Sequence, residues 1–441
     1  RTLTSTFRHG FSRMPVFKAS GFFVPMRTTH IPVSPDWYTV ILQTYANREH
    51  GEVTKRSMTM GAIARRITRV ITAVVCVAVS VGVSVATLHV PTREGGGERF
   101  NPARYRSDVI ADTVINHTTG VDKTQGTGTA GSPYDNKGYF PEAGYTPSDF
   151  HAPCSIWTYR DAESVWNCQV SGLQDLDTSS PHVRDVLSDY FVKLLDYGVA
   201  GFRVDAVKHM PPEDVLAIKK LVAKKSGRSM NDIWWTQEVI GDNAEAAEIQ
   251  PRNYLKTGQV NEFQYAYRLK SLFSNSLAGG SLSIKDIPQN ITDSGKASVF
   301  VTNWDTERNN MTLTYKDGDA YRLANAFMLA YPYGVPNVFS GYEFHDTDSG
   351  ASGATATSVP DIDCSKDSGW SCTERWPDVH GMVGWHNVAG DAPLSDWQDD
   401  GDNMIAFGRG GRAFIAINNS VRTRTVTYHT ALPAGEYCDV Y

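Results

Sequence analysis

The sequence has no surplus of basic charge. Its 42 Lys and Arg stand against 48 Asp and Glu, a formal net charge of −6 over 441 residues. That argues against a partner such as nucleic acid, which is gripped through a basic surface. Cysteine is scarce, six in all, and one of them, Cys76, lies in an apolar run. The other five form two close pairs, Cys154/Cys168 and Cys364/Cys372, which suggest local disulfides in a secreted protein and leave Cys438 over. Residues 1–57 lack any clear periodicity and read as an unstructured upstream extension.

What is present is an ordinary globular mixture. Hydrophobic residues make 41% and charged residues 20% of the chain, and the length allows two or three domains with a sizeable core. Arg65, Arg66 and Arg69 precede an apolar run from Val70 to about Val90, with Ser84-Val85-Ala86 near its end. A basic start, an apolar stretch and small residues at the end describe a secretory signal peptide over 58–86. An uncleaved membrane anchor is the alternative, since about 20 apolar residues can span a bilayer. Residues 87–104, with "TREGGGER", read as a linker.

From residue 105 strands and helices alternate. "DVIADTVIN" (108–116), "VAGFRVD" (199–205), "DIWWTQEVI" (232–240), "VNEFQYAY" (260–267), "ASVFVTN" (297–303) and "VPNVFS" (335–340) read as strands. The stretch 179–198 reads as a helix, with Pro181 in its first turn and Val183, Val186, Leu187, Tyr190 and Leu194 along one face. Alternation of this kind argues for parallel strands in a β/α barrel over 105–117 and 173–392. The Gly-, Ser- and Asn-rich residues 118–172 are too long for a simple connection and read as an inserted domain. After about residue 393 the alternation becomes that of a small antiparallel β domain, 393–441.

The segment "VAGFRVDAVKHM" (199–210) ends a core strand on two opposite charges, Arg203 and Asp205. Residues at the carboxyl ends of parallel strands face the mouth of a barrel. Three such ends carry carboxylates: Asp205, Glu238 and Asp305. Glycoside hydrolysis with retention needs two carboxyl groups about 5–5.5 Å apart, one attacking and one holding a proton. Arg203, two residues before Asp205, lies on the same side of its strand, where a guanidinium keeps a neighbouring carboxylate ionised. The Trp234–Trp235 pair reads as core packing, and His151 and His345 read as ordinary surface histidines.

These residues carry a resemblance. "DTVINH" (112–117), "GLQDLDT" (172–178), "GFRVDAVKH" (201–209), "EVI" (238–240) and "FVTNWD" with Asn303 and Asp305 occur in the order found in alpha-amylases of glycoside hydrolase family 13. The chain resembles the secreted actinobacterial and animal members from about residue 105 onward. The resemblance implies a (β/α)8-type TIM barrel, an inserted domain after the third strand and a C-terminal antiparallel domain. Its first two barrel units and the end of its last domain are expected to be missing. It implies Asp205 as nucleophile, Glu238 as general acid/base, and Asp305 as the group that binds sugar hydroxyls and helps keep Glu238 protonated. His117, Arg203, Lys208 and His209 would contact or orient substrate. One structural Ca²⁺ would be held by Asn116, Asp175 and the carbonyls of Trp166 and His209. Chloride is not implied: Arg203 and Asn303 match the family's chloride ligands, but Asn337 stands where a second basic residue would be.

The expected activity is endo-hydrolysis of internal α-1,4 bonds in starch, glycogen and malto-oligosaccharides, by a secreted, extracellular monomer. The alternatives are a maltogenic or transglycosylating relative, and an inactive remnant or starch-binding protein. Trp304 favours the remnant, because the family places His there. So do the missing units, because six would expose strand edges.

Overall fold

The computed structural model describes residues 109–441 apart from 121–124, 129–130, 275–292, 356–357, 359 and 366, together with the backbone of strands Thr2–Phe7 and Phe17–Lys18. The expected signal peptide and linker lie outside the described residues. Among the described residues no helix is long and apolar enough to cross a membrane.

Six parallel strands form the central sheet: β1 (Ile110–Thr113), β2 (Gly201–Val204), β3 (Trp234–Gln237), β4 (Gln259–Asn261), β5 (Ala297–Phe300) and β6 (Val335–Asn337). Spatial order follows chain order from β1 to β6. Among the described residues no strand closes the outer edges of β1 and β6, so the sheet is an open arc of a barrel. Gly201 permits the β2–β3 contact: a Cβ there would lie 2.3 Å from the Cβ of Trp234 and 2.4 Å from its carbonyl oxygen.

Helix Pro181–Asp196 runs between β1 and β2 and ends where Gly198 takes φ +95°. Its buried face is Val183, Leu187, Phe191 and Leu195, a stripe of strict i+4 spacing. The face expected from sequence is therefore rotated, and Tyr190 is exposed. Ser180 occupies the N-cap but its side chain makes no capping hydrogen bond. Phe191 meets Phe202 with ring centroids 4.6 Å apart and Trp235 at 5.0 Å, which places Trp235 in the core as expected. Truncating Phe191 to Ala would cost about 3–5 kcal/mol.

A second correction concerns 260–267. Only Gln259–Asn261 is strand, and Phe263–Phe273 is a helix. Phe263, Ala266, Leu269 and Phe273 are buried, and that three-to-four spacing outweighs the aromatic strand signal.

The insertion leaves the sheet through His117–Gly120 and returns through Leu173–Asp175, which pair antiparallel. Cys154–Cys168 and Cys364–Cys372 form the two expected disulfides. At the C-terminus, strands Leu394–Asp399, Met404–Arg409 and Ala413–Asn418 form an antiparallel sheet. Phe407 seats that sheet on helix Asp319–Ala330 through Phe327, at 6.1 Å.

The upstream extension is not wholly unstructured. Thr2–Phe7 pairs antiparallel with Arg424–His429, and Phe17–Lys18 pairs with Glu436–Tyr437. An edge strand presents a row of unpaired backbone groups, and the Thr-rich run "TLTSTF" is suited to pairing with it.

Candidate active site

The ladder of β1, β2 and β3 continues beyond the strands and sets their ends level. Asp112 lies opposite Arg203 in the parallel register. The amide of Asp205 donates to the Thr113 carbonyl at 2.9 Å, and the amide of Glu238 donates to the Val204 carbonyl at 2.9 Å. Side chains of neighbouring parallel strands at matched positions share a face, so the three strand ends deliver their charged groups to one place.

Arg203 sits at the centre. Its Nη1 contacts Asp205 Oδ1 at 2.5 Å and Asp112 Oδ1 at 3.1 Å, and its Nη2 contacts Glu238 Oε2 at 3.1 Å. Glu238 Oε2 also accepts the amide of Ala206 at 2.9 Å. Ala206 takes φ +50°, a left-handed turn that directs its N–H at the carboxylate.

The sites differ electrostatically. Burial pushes the carboxyl of Glu238 up to about 7; Arg203 and the Ala206 amide oppose this, while Asp205 and Asp305 add to it. Asp305 is raised too, first by lost hydration, with Asp205 and Asp112 adding to the rise and Arg203 opposing it. Asp305 lies in the short helix Trp304–Arg308, capped by Asn303, whose Oδ1 accepts the Thr306 amide at 2.9 Å. The three carboxylates expected from sequence thus lie within electrostatic reach of one another. His117 belongs to the same cluster: burial lowers its pKa and the charge of Asp205 partly offsets this.

The other expected residues are placed as follows. Asn116 Nδ2 donates to Asp175 Oδ1 at 3.0 Å and to the His209 carbonyl at 3.1 Å, and Asn116 and Asp175 are each only 1% exposed. Trp166 is on helix Ala162–Asn167, which packs against the turn Val207–His209. The Lys208 ammonium is ion-paired to Glu245 Oε2 at 2.5 Å and lies 4.9 Å from the Tyr159 ring centroid. Asn303 and Asn337 both serve the backbone; the Asn337 amide donates to the Val299 and Val335 carbonyls.

Three partners escaped the sequence reading. Asp112 is the second carboxylate on Arg203 Nη1, and Glu245 holds Lys208. His151 is no ordinary surface histidine, since its Nδ1 lies 2.6 Å from Asp175 Oδ2. Asp112 had a signal, being the first residue of a quoted motif. The other two pairings cross 37 and 24 positions, one from the turn Val207–His209 to a loop and one from a loop to the end of the strand Leu173–Asp175, and no periodicity marks them.

A parallel β/α sheet whose strand ends hold three carboxylates on one arginine, one raised towards neutrality, has the construction of a glycoside hydrolase catalytic domain. The chain belongs to the alpha-amylase family: residues 106–377 match its catalytic domain and residues 395–441 its C-terminal all-beta domain. It is 41% identical over 335 residues to an alpha-amylase of Streptomyces violaceus, covering 75% of this chain and 55% of that protein. Identity to an alpha-amylase of Tenebrio molitor is 37% over 367 residues, covering 80% of this chain and 77% of the relative. The crystal structure of alpha-amylase I from Eisenia fetida superposes with a TM-score of 0.68 at 34% identity, covering 76% of this chain and 72% of that one. A mutant of the same earthworm enzyme has been solved as a complex with maltohexaose.

Proposed function

We propose that the chain hydrolyses internal α-1,4-glucosidic bonds of starch, glycogen and malto-oligosaccharides with retention of configuration. The single observation that carries the reading is the grip of Arg203 on Asp205 and Glu238, together with the rise of Glu238 to about 7. An acid with a pKa near neutrality holds a proton and can still give it up, as a general acid must. Glu238 protonates the oxygen leaving from the sugar, while Asp205 attacks the anomeric carbon from the opposite face. Water, deprotonated by Glu238 in its basic form, then releases the glycosyl group from Asp205. Asp305 binds hydroxyls of the reacting sugar, and its negative charge favours the protonated form of Glu238. His117 contacts the same sugar. His209 and Lys208 line the leaving side, where Glu245 fixes the ammonium of Lys208.

Calcium fits the residues present. Asp175 and the His209 carbonyl turn oxygens to one buried spot that the Asn116 amide nitrogen bridges. Turning that amide over would present its Oδ1 to a cation there, the all-oxygen ligation that suits Ca²⁺. Trp166 would add its carbonyl. The ion would neutralise the buried Asp175 and tie the insertion to the turn that carries Lys208 and His209. The pairing of Thr2–Phe7 with the last domain leaves this reading untouched. Secretion accords with two disulfides, and a monomer is the simplest assembly consistent with the reading.

A second reading, an inactive starch-binding remnant, is favoured by the open edges of β1 and β6 and by Trp304. Reducing-sugar release from soluble starch by the full chain, with and without Ca²⁺, separates the two. Activity that Glu238→Gln removes while the circular dichroism is unchanged supports the enzyme. A folded chain that binds starch and releases no sugar supports the remnant.

A further inference from the structure

At the opposite end of the sheet from the carboxylates, the starts of β3, β4 and β5 border an open cavity of about 220 Å³. Its wall carries three lysines, Lys219, Lys256 and Lys296, and no carboxylate. Lys219 comes from helix Pro212–Ser226 and is 5% exposed. Its ammonium donates once, to the Thr257 carbonyl at 2.8 Å. An ammonium has three N–H donors, so its remaining capacity is not met by that bond. The Trp235 ring lies 5.6 Å from the same nitrogen.

Two features mark the cavity as built for negative charge. The first is its cations, none of which is ion-paired to an acid among the described residues. Lys219 is pushed down to about 8, first by burial and then by the positive charge of Lys296. A buried ammonium beside a like charge is costly unless an anion joins them. The nearest acids in sequence to the lining segments, Asp232 and Asp293, do not line the cavity, and Asp293 Oδ1 is taken by the Gly295 amide at 3.1 Å. The second is Lys219 itself, 5% exposed, with only one of its three N–H donors engaged by a hydrogen bond among the described residues.

We propose that this cavity is a binding site for a small oxoanion, of the phosphate or sulfate kind, held by the ammonium groups of Lys219, Lys256 and Lys296. Charge-assisted donors converging on compact anionic oxygens are the strong class of hydrogen bond. The anion would join the starts of three strands to a surrounding helix and act on stability. The inference is independent of the glycosidase reading, because no catalytic residue lines the cavity.

The test uses the full chain at pH 7 and constant ionic strength, replacing chloride by inorganic phosphate, sulfate or acetate. Thermal unfolding should shift upward and saturate with phosphate and sulfate, and equilibrium dialysis should give one bound phosphate per chain. Acetate should act less, since it offers fewer oxygens. Lys296→Gln removes one cation of the cluster and should weaken phosphate binding about tenfold or more, the loss of one charge-assisted hydrogen bond. In phosphate-free buffer the same substitution should leave the unfolding midpoint unchanged or higher, because it relieves repulsion of Lys219. Lys220→Gln, on the exposed side of the same helix, should bind phosphate as the parent does. Absence of saturable binding, or undiminished binding in the Lys296→Gln, Lys256→Gln double variant, would overturn the proposal.

Discussion

Arg203 holds Asp205 and Glu238 on the two terminal nitrogens of one guanidinium, at 2.5 and 3.1 Å. This is the relationship on which the proposed chemistry depends, because it fixes attacking and proton-donating groups against each other. Lysine carries the charge without the planar fork. Arg203→Lys should therefore lower kcat on the order of 10²-fold with a smaller change in KM, read from steady-state kinetics on maltoheptaose. A raised KM with kcat intact would show that Arg203 serves substrate affinity instead.

The raised carboxyl of Glu238 sets the alkaline limit. Its protonated form is present below about 7 and is lost as pH rises through that value, so kcat/KM should fall on the alkaline side with a midpoint near 7. The charge of Asp305 contributes to the rise, and removing it should let Glu238 ionise at lower pH. Residual activity of Asp305→Asn should accordingly show its alkaline limb displaced to lower pH. A limb that stays in place would mean that burial and the charge of Asp205, without Asp305, raise Glu238.

Trp304 stands where the sequence resemblance leads one to expect His. Its ring is stacked beneath Arg308, whose guanidinium carbon lies 3.5 Å from the ring centroid, and Tyr342 meets its edge at 5.7 Å. Trp304→His should raise kcat, by up to about 10²-fold if a donor to the reacting sugar is restored. The same change removes a cation–π contact and should lower stability by about 1 kcal/mol. An unchanged or reduced kcat in a stable variant would show that the indole already fills the role.

Calcium should be a stability ligand. Adding a chelator to the full chain should lower the midpoint of thermal unfolding, and restoring Ca²⁺ should recover it. Asn116→Ala should abolish that difference while leaving the two disulfides intact. A midpoint indifferent to chelator in the parent chain would remove calcium from the account.

How much of this was legible in the sequence depends on the distance over which a signal acts. Arg203-x-Asp205 could be read because two residues on one strand share a face. Glu238 could be placed because strand ends in a parallel sheet meet at one mouth, whereas Asp305, expected at a strand end, lies beyond β5 in the helix Trp304–Arg308. The helical start of 263–273 was missed because Tyr265 and Tyr267 mimic a strand, whereas burial of Phe263, Ala266 and Leu269 follows the helix period. The pairs His151–Asp175 and Lys208–Glu245 join separate segments, and the contact of Thr2–Phe7 with Arg424–His429 joins the two ends of the chain. Such contacts are decided by packing in three dimensions and leave no local pattern.

The account stands on Asp205 as the group that takes the sugar. A 5-fluoro-glucosyl fluoride that reacts slowly at a retaining site, followed by proteolysis and mass spectrometry, reads this out. The expected result is one glycosyl adduct on the peptide that contains Asp205, absent in Asp205→Asn and longer-lived in Glu238→Gln, because fluoride leaves without a proton whereas the water that releases the sugar needs a base. An adduct on another residue, or turnover of malto-oligosaccharide to the β-anomer with no adduct at all, would contradict the mechanism.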